Sequence, residues 1–128
     1  MWTFLKKVND TYGHDAGDMI LKKVAGLLRS AFRNIDYVCR IGGDEFAIIM
    51  VDMTIDLSYT IIEKITEVNR QLAIPEDGNP LVSLSAGAAF TDWENPDRDL
   101  FKAADSALYH TKEHGRSGCH FFHDIVSD

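Results

Sequence analysis

The stretch Gly42-Gly43-Asp44-Glu45-Phe46 joins two strand-like runs, Tyr37-Val38-Cys39-Arg40-Ile41 and Phe46-Ala47-Ile48-Ile49-Met50. A glycine pair between two strands predicts a tight β-hairpin. Because glycine has no side chain, a ligand can approach this backbone closely. The two adjacent carboxylates on such a hairpin suit a hard cation and a phosphate ester. Taken alone, the five residues are equally consistent with an ordinary turn.

Length and composition indicate one globular domain over residues 1–128. Apolar residues make up 45% and charged residues 26% of the chain, as in a soluble protein. The formal net charge of −7 argues against a general nucleic-acid binder, which would carry a basic face. No apolar run approaches the length of a membrane span, and there is no signal-peptide pattern.

The two cysteines, Cys39 and Cys119, have neither metal-ligand spacing nor a disulfide framework. Since Cys39 belongs to an apolar strand-like run, we expect it to be a buried free thiol. This use of cysteine favours a reducing, cytoplasmic setting.

Two segments with apolar residues at helical spacing predict helices on either side of the hairpin. The first is expected to begin at Asp18, whose carboxylate is placed to cap it. The second runs to Leu72, with Thr54 or Asp56 as its cap and Pro75 as its stop.

The rest of the chain predicts a strand, a third helix and a last strand. The strand covers residues 81–90, where Gly87 marks a bulge or a close backbone approach. The helix runs from about Asp97 to His114, with Gly115 as its C-terminal cap. Its expected apolar face consists of Leu100, Phe101, Ala104, Ala107, Leu108 and Thr111. Residues 119–122 form the last strand, and residues 1–5 resemble the end of an earlier one.

Helices and strands thus alternate, while the hairpin makes at least one strand pair antiparallel. This order predicts an α/β (α+β) sandwich with a mixed central sheet and flanking helices, in the ferredoxin-like style.

Three motifs occur in one order along the chain: Asn9-Asp10-Thr11-Tyr12-Gly13-His14 with Gly17-Asp18, then Arg40-Ile41-Gly42-Gly43-Asp44-Glu45-Phe46, then Ala103-Ala104-Asp105-Ser106-Ala107-Leu108-Tyr109 with Lys112, Gly115 and Arg116. Together they resemble the GGDEF family, the diguanylate cyclases of bacteria, over nearly the whole chain. The resemblance implies a palm-like nucleotide cyclase that joins two GTP molecules into cyclic di-GMP and releases pyrophosphate. It also implies Mg²⁺ or Mn²⁺ as cofactor and a homodimer, because two GTP sites must face each other.

The resemblance assigns catalytic roles to three side chains. Asp44 matches the family's metal ligand and proton acceptor, and Glu45 is the neighbouring carboxylate that assists it. Lys6 matches a phosphate-contacting lysine that stabilises the transition state. Phe46 is expected to pack inward as the first core residue of its strand.

Substrate-binding roles fall on six further residues. Gly42 and Gly43 would let the nucleotide lie against the hairpin. The others work in pairs: Asn9 and Asp18 read the guanine edge, and Lys112 and Arg116 bind phosphate. The plainer alternatives are a turn residue and a helix cap for the first pair, and solvated cations at a helix C-terminus for the second.

Arg33 and Asp36 match an Arg-x-x-Asp motif that binds the product and inhibits the enzyme in relatives. An arginine can stack on guanine and grip phosphate in a fork. The alternative is a helix-end arginine followed by a strand-start aspartate. Lys64 lies near the position of a helper arginine, for which it could substitute only in part.

Four histidines follow in the C-terminal part of the chain. His110 and His114 are four residues apart, and His120 and His123 come after them. No acidic partner completes a metal-ligand set, so we expect solvated surface histidines.

One departure from the family pattern concerns the metal site. The family's Asp-x-Asp falls on Met1 and Thr3, which carry no carboxylate, and Trp2 would lend its backbone carbonyl to the metal. We therefore expect weak metal binding and little cyclase activity. Either the domain is N-terminally incomplete, within a longer protein with an upstream sensor domain, or it is a degenerate module that binds GTP or cyclic di-GMP. A fold-only interaction domain is a third alternative.

Overall fold

The computed structural model describes residues 13–75 and 81–125. Within them the order of elements is the expected one, with a 3₁₀ turn and a short final helix added. The elements are α1 (His14–Ala31), β1 (Tyr37–Gly42), β2 (Glu45–Ile49), a 3₁₀ turn (Ile55–Leu57), α2 (Ser58–Leu72), β3 (Ser85–Ala88), α3 (Leu100–Glu113), β4 (Gly118–Phe121) and α4 (Phe122–Ile125). The expected strand remnant at residues 1–5 and most of the expected loop before residue 81 lie outside the described residues.

The strands pair in both directions, as the mixed sheet requires. β1 and β2 are antiparallel, with Arg40 opposite Phe46 and an irregularity before Gly42 pairs with Glu45. β3 and β4 are parallel, with Ser85 opposite Gly118. The predicted mixed α/β architecture is confirmed.

An apolar cluster packs α1 and α2 against the strands. Phe46 belongs to it and is only 4% exposed, so its predicted core role is confirmed. The other large members are Ile20, Leu21, Val24, Leu28, Phe32, Ile61, Ile65, Val68, Leu72, Val82, Leu84 and Phe121. Burying a side chain of this size contributes roughly 1.5–3 kcal/mol, so this cluster outweighs any single surface contact.

Gly87 is the point where β3 meets α3 most closely. A Cβ atom placed on it would lie 2.0 Å from the backbone nitrogen of Leu108 and 2.4 Å from the carbonyl oxygen of Ala104. Only glycine permits this approach, which confirms one of the two expectations for Gly87. The strand itself is shorter than expected, covering Ser85–Ala88.

The start of α1 differs from the sequence prediction. The helix begins at His14 with Gly13 as its N-cap and no side-chain cap, so Asp18 lies inside the helix and caps nothing. Because glycine costs about 1 kcal/mol in a helix interior, the local sequence of residues 13–18 is more typical of a turn than of a helix. Gly17 is nevertheless buried within the helix, so tertiary packing outweighs this local preference.

The start of α2 also lacks the expected cap. The N-cap of α2 is Leu57, while Thr54 precedes the 3₁₀ turn and makes no side-chain capping bond. Asp56 lies inside that turn. The hydroxyl of Thr60 donates to the carbonyl oxygen of Leu57 at 2.6 Å instead. The predicted end before Pro75 is confirmed, because the helix stops at Leu72.

Helix α3 begins three residues later than expected, and the set of residues on its buried face differs slightly from the expected one. The Asp99 carboxylate caps it by accepting a bond from the backbone nitrogen of Lys102 at 3.1 Å. Phe101 is 61% exposed, so its expected place on the buried face is wrong, and Ala103 is buried instead. Gly115 adopts a φ of 96°, as the predicted C-terminal cap requires.

The expectation for Cys39 is wrong, because this thiol is exposed. Five of the six residues of β1 are exposed, so apolar composition here marks an open strand rather than a buried one. Cys119 is the more buried cysteine, and burial raises the pKa of its thiol to about 11. It is therefore a structural thiol rather than a nucleophile. Among the described residues, no helix is both long and apolar enough to cross a membrane.

Candidate functional site

The turn of the hairpin, residues 42–45, leaves its backbone accessible, and we call it the open turn. Gly42 and Gly43 are exposed, and a Cβ atom on either would have no heavy atom within 4 Å. The guanidinium Nε of Arg40 donates to the carbonyl oxygen of Gly43 at 2.8 Å and braces the turn from one side. Asp44 is half-buried and Glu45 is exposed. The free space beside both glycines matches the close ligand approach expected from the sequence.

Lys112, near the end of α3, interacts electrostatically with this turn. Burial lowers the pKa of Lys112 and Arg116 acts in the same direction, while Glu45, Asp44 and Asp105 oppose the change. All four neighbouring charges must lie close enough to act on one ammonium group. The fold therefore places the two hairpin carboxylates, Asp105 and Arg116 within electrostatic range of Lys112, and we call these five residues the mixed-charge cluster.

Asp105 is a member of this cluster to which the sequence analysis gave no role. It lies seven residues before Lys112 on α3, which is almost two helical turns, so both side chains project from one face. That spacing was a readable signal within the third motif. Asp105 adds a third carboxylate to the electrostatic environment of Lys112.

The donor set suits a magnesium ion that arrives with a nucleotide. Within the described residues, no group of three or more histidine, cysteine or acidic side chains is arranged to hold a metal. Mg²⁺ commonly uses one or two carboxylates and completes its shell with water and substrate phosphates. Asp44 and Glu45 provide such carboxylates beside an accessible backbone, so they fit this mode of binding better than a closed protein cage.

Several predicted site residues are not described by the structure. Lys6, Asn9 and the Trp2 carbonyl lie outside the described residues, as do Met1 and Thr3. Asp18 is described and lies exposed in the second turn of α1. Its proposed contact with guanine remains a prediction.

Arg33 and Asp36 lie at the opposite end of the hairpin from the open turn. Nη2 of Arg33 is 2.7 Å from Oδ1 of Asp36 and donates to the carbonyl oxygen of Val51 at 2.6 Å. The strands between the two ends span roughly 15–20 Å at about 3.3 Å per residue. The predicted product site and the mixed-charge cluster are therefore separate regions.

The Arg33–Asp36 pair is partly buried. The Asp36 side chain has no exposed surface, whereas 35% of the Arg33 side chain is exposed. Burial works to raise the pKa of Asp36, but bonds from the side chain and backbone nitrogen of Arg33 outweigh it and lower that pKa. The pair thus ends α1 in a fixed geometry and still presents one face of a guanidinium to solvent.

Lys64 contacts the C-terminal end of α1, just before Arg33 in the chain. Its Nζ donates to the carbonyl oxygen of Ala31 at 2.7 Å and stands 5.4 Å from the centroid of the Phe32 ring. These contacts stabilise the C-terminal end of α1. They place Lys64 next to the residues that directly precede Arg33, and its part as a helper cation stays a prediction.

Three of the histidines pack together rather than standing apart in solvent. The rings of His110 and His114 stack with centroids 3.9 Å apart, and His120 meets His110 edge-on at 4.8 Å. Nδ1 of His120 lies 2.9 Å from the hydroxyl of Thr111. The expectation of solvated histidines is therefore wrong for His120, which is half-buried.

Comparison with known proteins gives one family. Residues 2–118 match the family model described as "Diguanylate cyclase, GGDEF domain". Diguanylate cyclase A of Treponema denticola is 34% identical over 116 residues, covering 89% of this chain and 31% of the relative. The response regulator PleD of Caulobacter vibrioides is 37% identical over 119 residues, covering 89% of this chain and 26% of the relative.

A solved structure shows the same architecture. The GGDEF domain of DgcB from Caulobacter crescentus in complex with c-di-GMP superposes with a TM-score of 0.78 at 27% identity, covering 93% of this chain and 72% of that one. The chain spans about a third or less of the two curated relatives named above, which are much longer proteins.

Proposed function

Because the chain belongs to the GGDEF domain family, we propose that it is a diguanylate cyclase domain that condenses two GTP molecules into cyclic di-GMP and pyrophosphate. The observation that carries this proposal is the mixed-charge cluster. Two carboxylates on an accessible glycine turn act electrostatically on Lys112, and so does Arg116. Carboxylates for a cation and cations for phosphates are the two needs of a metal-bound triphosphate.

Binding would divide between the two sides of the cluster. Lys112 and Arg116 neutralise phosphate oxygens, and the bare backbone of Gly42 and Gly43 lets the nucleotide approach. Asn9 and Asp18 are proposed to read the guanine edge, since an amide and a carboxylate can match its donors and acceptor.

In the reaction, the 3′-hydroxyl oxygen of one GTP attacks the α-phosphorus of the other. A new P–O bond forms, the bond between the α- and β-phosphates breaks, and pyrophosphate leaves. The 3′-hydroxyl of the second GTP then attacks the α-phosphorus of the first in the same way, which closes the ring and releases a second pyrophosphate. Asp44 accepts the hydroxyl proton with Glu45 beside it, and Lys6 stabilises the developing charge. Mg²⁺ or Mn²⁺, held by Asp44 and the Trp2 carbonyl, supplies charge neutralisation when bound. Since each domain holds one GTP, two copies must face each other, and a homodimer is part of the proposal.

The test compares two single carboxylate changes in the purified chain. With GTP and Mg²⁺, the wild-type chain should produce cyclic di-GMP only slowly, because Met1 and Thr3 stand where the family carries aspartates, and the rate is measured by chromatography of the nucleotides over time. Asp44→Asn should lower this rate at least a hundredfold, because it removes the proton acceptor. Asp97→Asn is the matched control, since Asp97 is an exposed aspartate on a different loop.

Two results would contradict the proposal. One is equal loss of turnover in both variants, which would indicate a nonspecific effect. The other is absence of both turnover and GTP binding in the wild-type chain, with calorimetry as the binding measurement.

A second candidate function is carried by the Arg33–Asp36 pair, which keeps an exposed guanidinium face. The chain would then bind cyclic di-GMP as a sensor or effector module, whether or not it cyclises GTP. The DgcB domain to which it is similar was solved with c-di-GMP bound. An arginine fork is suited to phosphate and can stack on guanine.

Calorimetric titration with cyclic di-GMP separates the two functions. Arg33→Lys keeps a cation beside Asp36 but loses the fork, so it should weaken binding about tenfold or more. Asp44→Asn should leave this binding intact. Arg29→Ala, which removes an exposed arginine from the last turn of α1, is the control. Unchanged binding in Arg33→Lys would overturn the assignment.

A further inference from the structure

The turn between α3 and β4 has an unusual backbone. Its four residues, Gly115, Arg116, Ser117 and Gly118, have φ values of 96°, 55°, 51° and 117°. All four lie in the left-handed region, and two of them carry side chains that disfavour it. Such a run persists only where surrounding contacts hold it. We call residues 115–118 the anchored turn.

Three backbone nitrogens of the anchored turn are held by neighbouring elements. The nitrogen of Arg116 donates to the carbonyl oxygen of Thr111 at 3.0 Å, which closes the end of α3 in a Schellman pattern. The nitrogen of Ser117 donates to the hydroxyl of Ser85 at 3.0 Å. The nitrogen of Gly118 donates to the carbonyl oxygen of Leu84 at 3.1 Å. Ser85 is 1% exposed, so its hydroxyl is a fixed interior acceptor.

Asn69 ties the same point to α2. Its Oδ1 accepts from the backbone nitrogen of Leu84 at 2.7 Å, and its Nδ2 donates to the Leu84 carbonyl oxygen at 3.1 Å. Nδ2 also lies 3.4 Å from the hydroxyl of Ser117. One amide side chain therefore fixes the strand that holds the turn and reaches the turn itself.

Arg116 is the charged residue of the anchored turn, and its Nη1 atom is shielded from solvent. Its guanidinium acts on Lys112, and Lys112 is also under the influence of Asp44 and Glu45. A small rotation of the turn would move this guanidinium away from the cluster. The position of the cation thus depends on contacts made far from it in sequence.

We propose that Asn69 and Ser85 are positioning residues that hold the anchored turn so that Arg116 meets the phosphates of bound GTP. The inference rests on the proposed function, because it gives these two residues a role in that nucleotide site. Neither side chain is required to touch the nucleotide. Their effect passes through the backbone of residues 115–118.

The test is a double-mutant cycle on nucleotide affinity. The probe is α,β-methylene-GTP with Mg²⁺, which cannot be cleaved between the α- and β-phosphates, titrated into the purified full chain by calorimetry. Asn69→Ala and Ser85→Ala should each weaken binding about 3- to 10-fold, the size of one hydrogen bond. Arg116→Ala should weaken it further. Adding Asn69→Ala to Arg116→Ala should not weaken binding of the probe any further. Asn69 is proposed to act only through Arg116, whose side chain is already absent in that variant.

Two variants guard against a purely structural effect. Gln71→Ala removes a side-chain amide from the same helix, where Gln71 bonds Glu67 instead of the turn, and it should bind the probe as wild type does. Ser117→Val places a β-branched residue at a φ of 51° on an exposed position. It strains the turn without touching the core, so it should lower affinity even if Asn69→Ala fails to fold.

The outcomes are distinct. If Arg116→Ala weakens binding of the probe, but Asn69→Ala, Ser85→Ala and Ser117→Val bind it as wild type does, the positioning role is wrong and the proposed function stands. Additive losses in the double variant also overturn it, since Asn69 would then act by another route. If the wild-type chain fails to bind the probe, this inference falls, and the proposed function falls with it when turnover and binding of GTP are also absent.

Discussion

The open turn and the anchored turn contribute to the same charge cluster but are built in opposite ways. The open turn has empty space where side chains of Gly42 and Gly43 would stand. In the anchored turn, three successive backbone nitrogens are committed to Thr111, Ser85 and Leu84. A nucleotide site needs access on one side and a fixed cation on the other. The difference indicates that the hairpin receives the ligand while the α3–β4 turn holds a charge in place.

The largest effect is expected from Gly87→Ala, which forces α3 away from β3, the strand whose Ser85 holds the anchored turn. The added Cβ would stand 2.0 Å from a backbone atom of α3, so strand and helix must separate. We expect a loss of roughly 3 kcal/mol or more in the free energy of unfolding, or no folding at all. Urea unfolding followed by circular dichroism measures it.

Gly26→Ala is the matched control for that change. Gly26 lies inside α1 with no heavy atom within 4 Å of an added Cβ. The same substitution should therefore stabilise the chain by about 0.5–1 kcal/mol. Equal effects at both positions would refute the account of Gly87.

A smaller and more direct comparison replaces one glycine in each turn. Gly115→Ala forces a side chain into a φ of 96° and should cost about 1–2 kcal/mol. Gly42 has no left-handed φ and free space around it, so Gly42→Ala should stay within about 0.5 kcal/mol of wild type.

Nucleotide affinity should separate the same two variants further. Gly42→Ala fills the space through which the nucleotide approaches, so it should weaken binding despite normal stability. Calorimetric titration with GTP tests this, in variants whose stability has first been measured by thermal unfolding. If Gly42→Ala binds GTP as tightly as wild type, the open turn is not the approach path.

The smallest effect concerns pH and His120, whose Nδ1 lies 2.9 Å from the hydroxyl of Thr111 on α3. Burial lowers the pKa of His120, His110 and His114 add to this, and Asp124 opposes it. Because the folded pKa is below the unfolded value of about 6.5, the unfolded chain binds the proton first as pH falls. Stability should therefore be highest above about pH 6.5 and decrease below it.

Thermal unfolding at pH 7.5, 6.5 and 5.5 measures this dependence. His120→Gln should flatten part of the decrease, whereas His14→Gln, at an exposed helix start, should not. Identical pH profiles for wild type and His120→Gln would show that His120 does not contribute.

The sequence pattern predicted the structure correctly where one short segment determines it. The hairpin follows from a glycine pair between apolar runs, and Phe46 packs inward at the start of its strand. The stop of α2 before Pro75 follows from the proline itself. The Gly115 cap follows from the freedom of glycine at positive φ.

Prediction failed where the deciding contact comes from a distant part of the chain. Gly17 is helical because packing buries it, although its neighbours resemble a turn. Cys39 is exposed because most of β1 is left uncovered, although its run is apolar. Phe101 sits at helical spacing for the core yet is exposed, because Ala103 faces inward in its place.

The sequence by itself determined the family, the order of the elements and the chemical types present at the site, since these depend on residue identity and short spacing. Only the tertiary structure decided that Asp44 and Glu45 act on Lys112, and that Asn69 and Ser85 hold the turn from which Arg116 projects. The physical reason is that hydrogen bonds and charge interactions depend on distance in space. Residues 69, 85 and 117 become neighbours only when α2, β3 and the end of α3 have packed together.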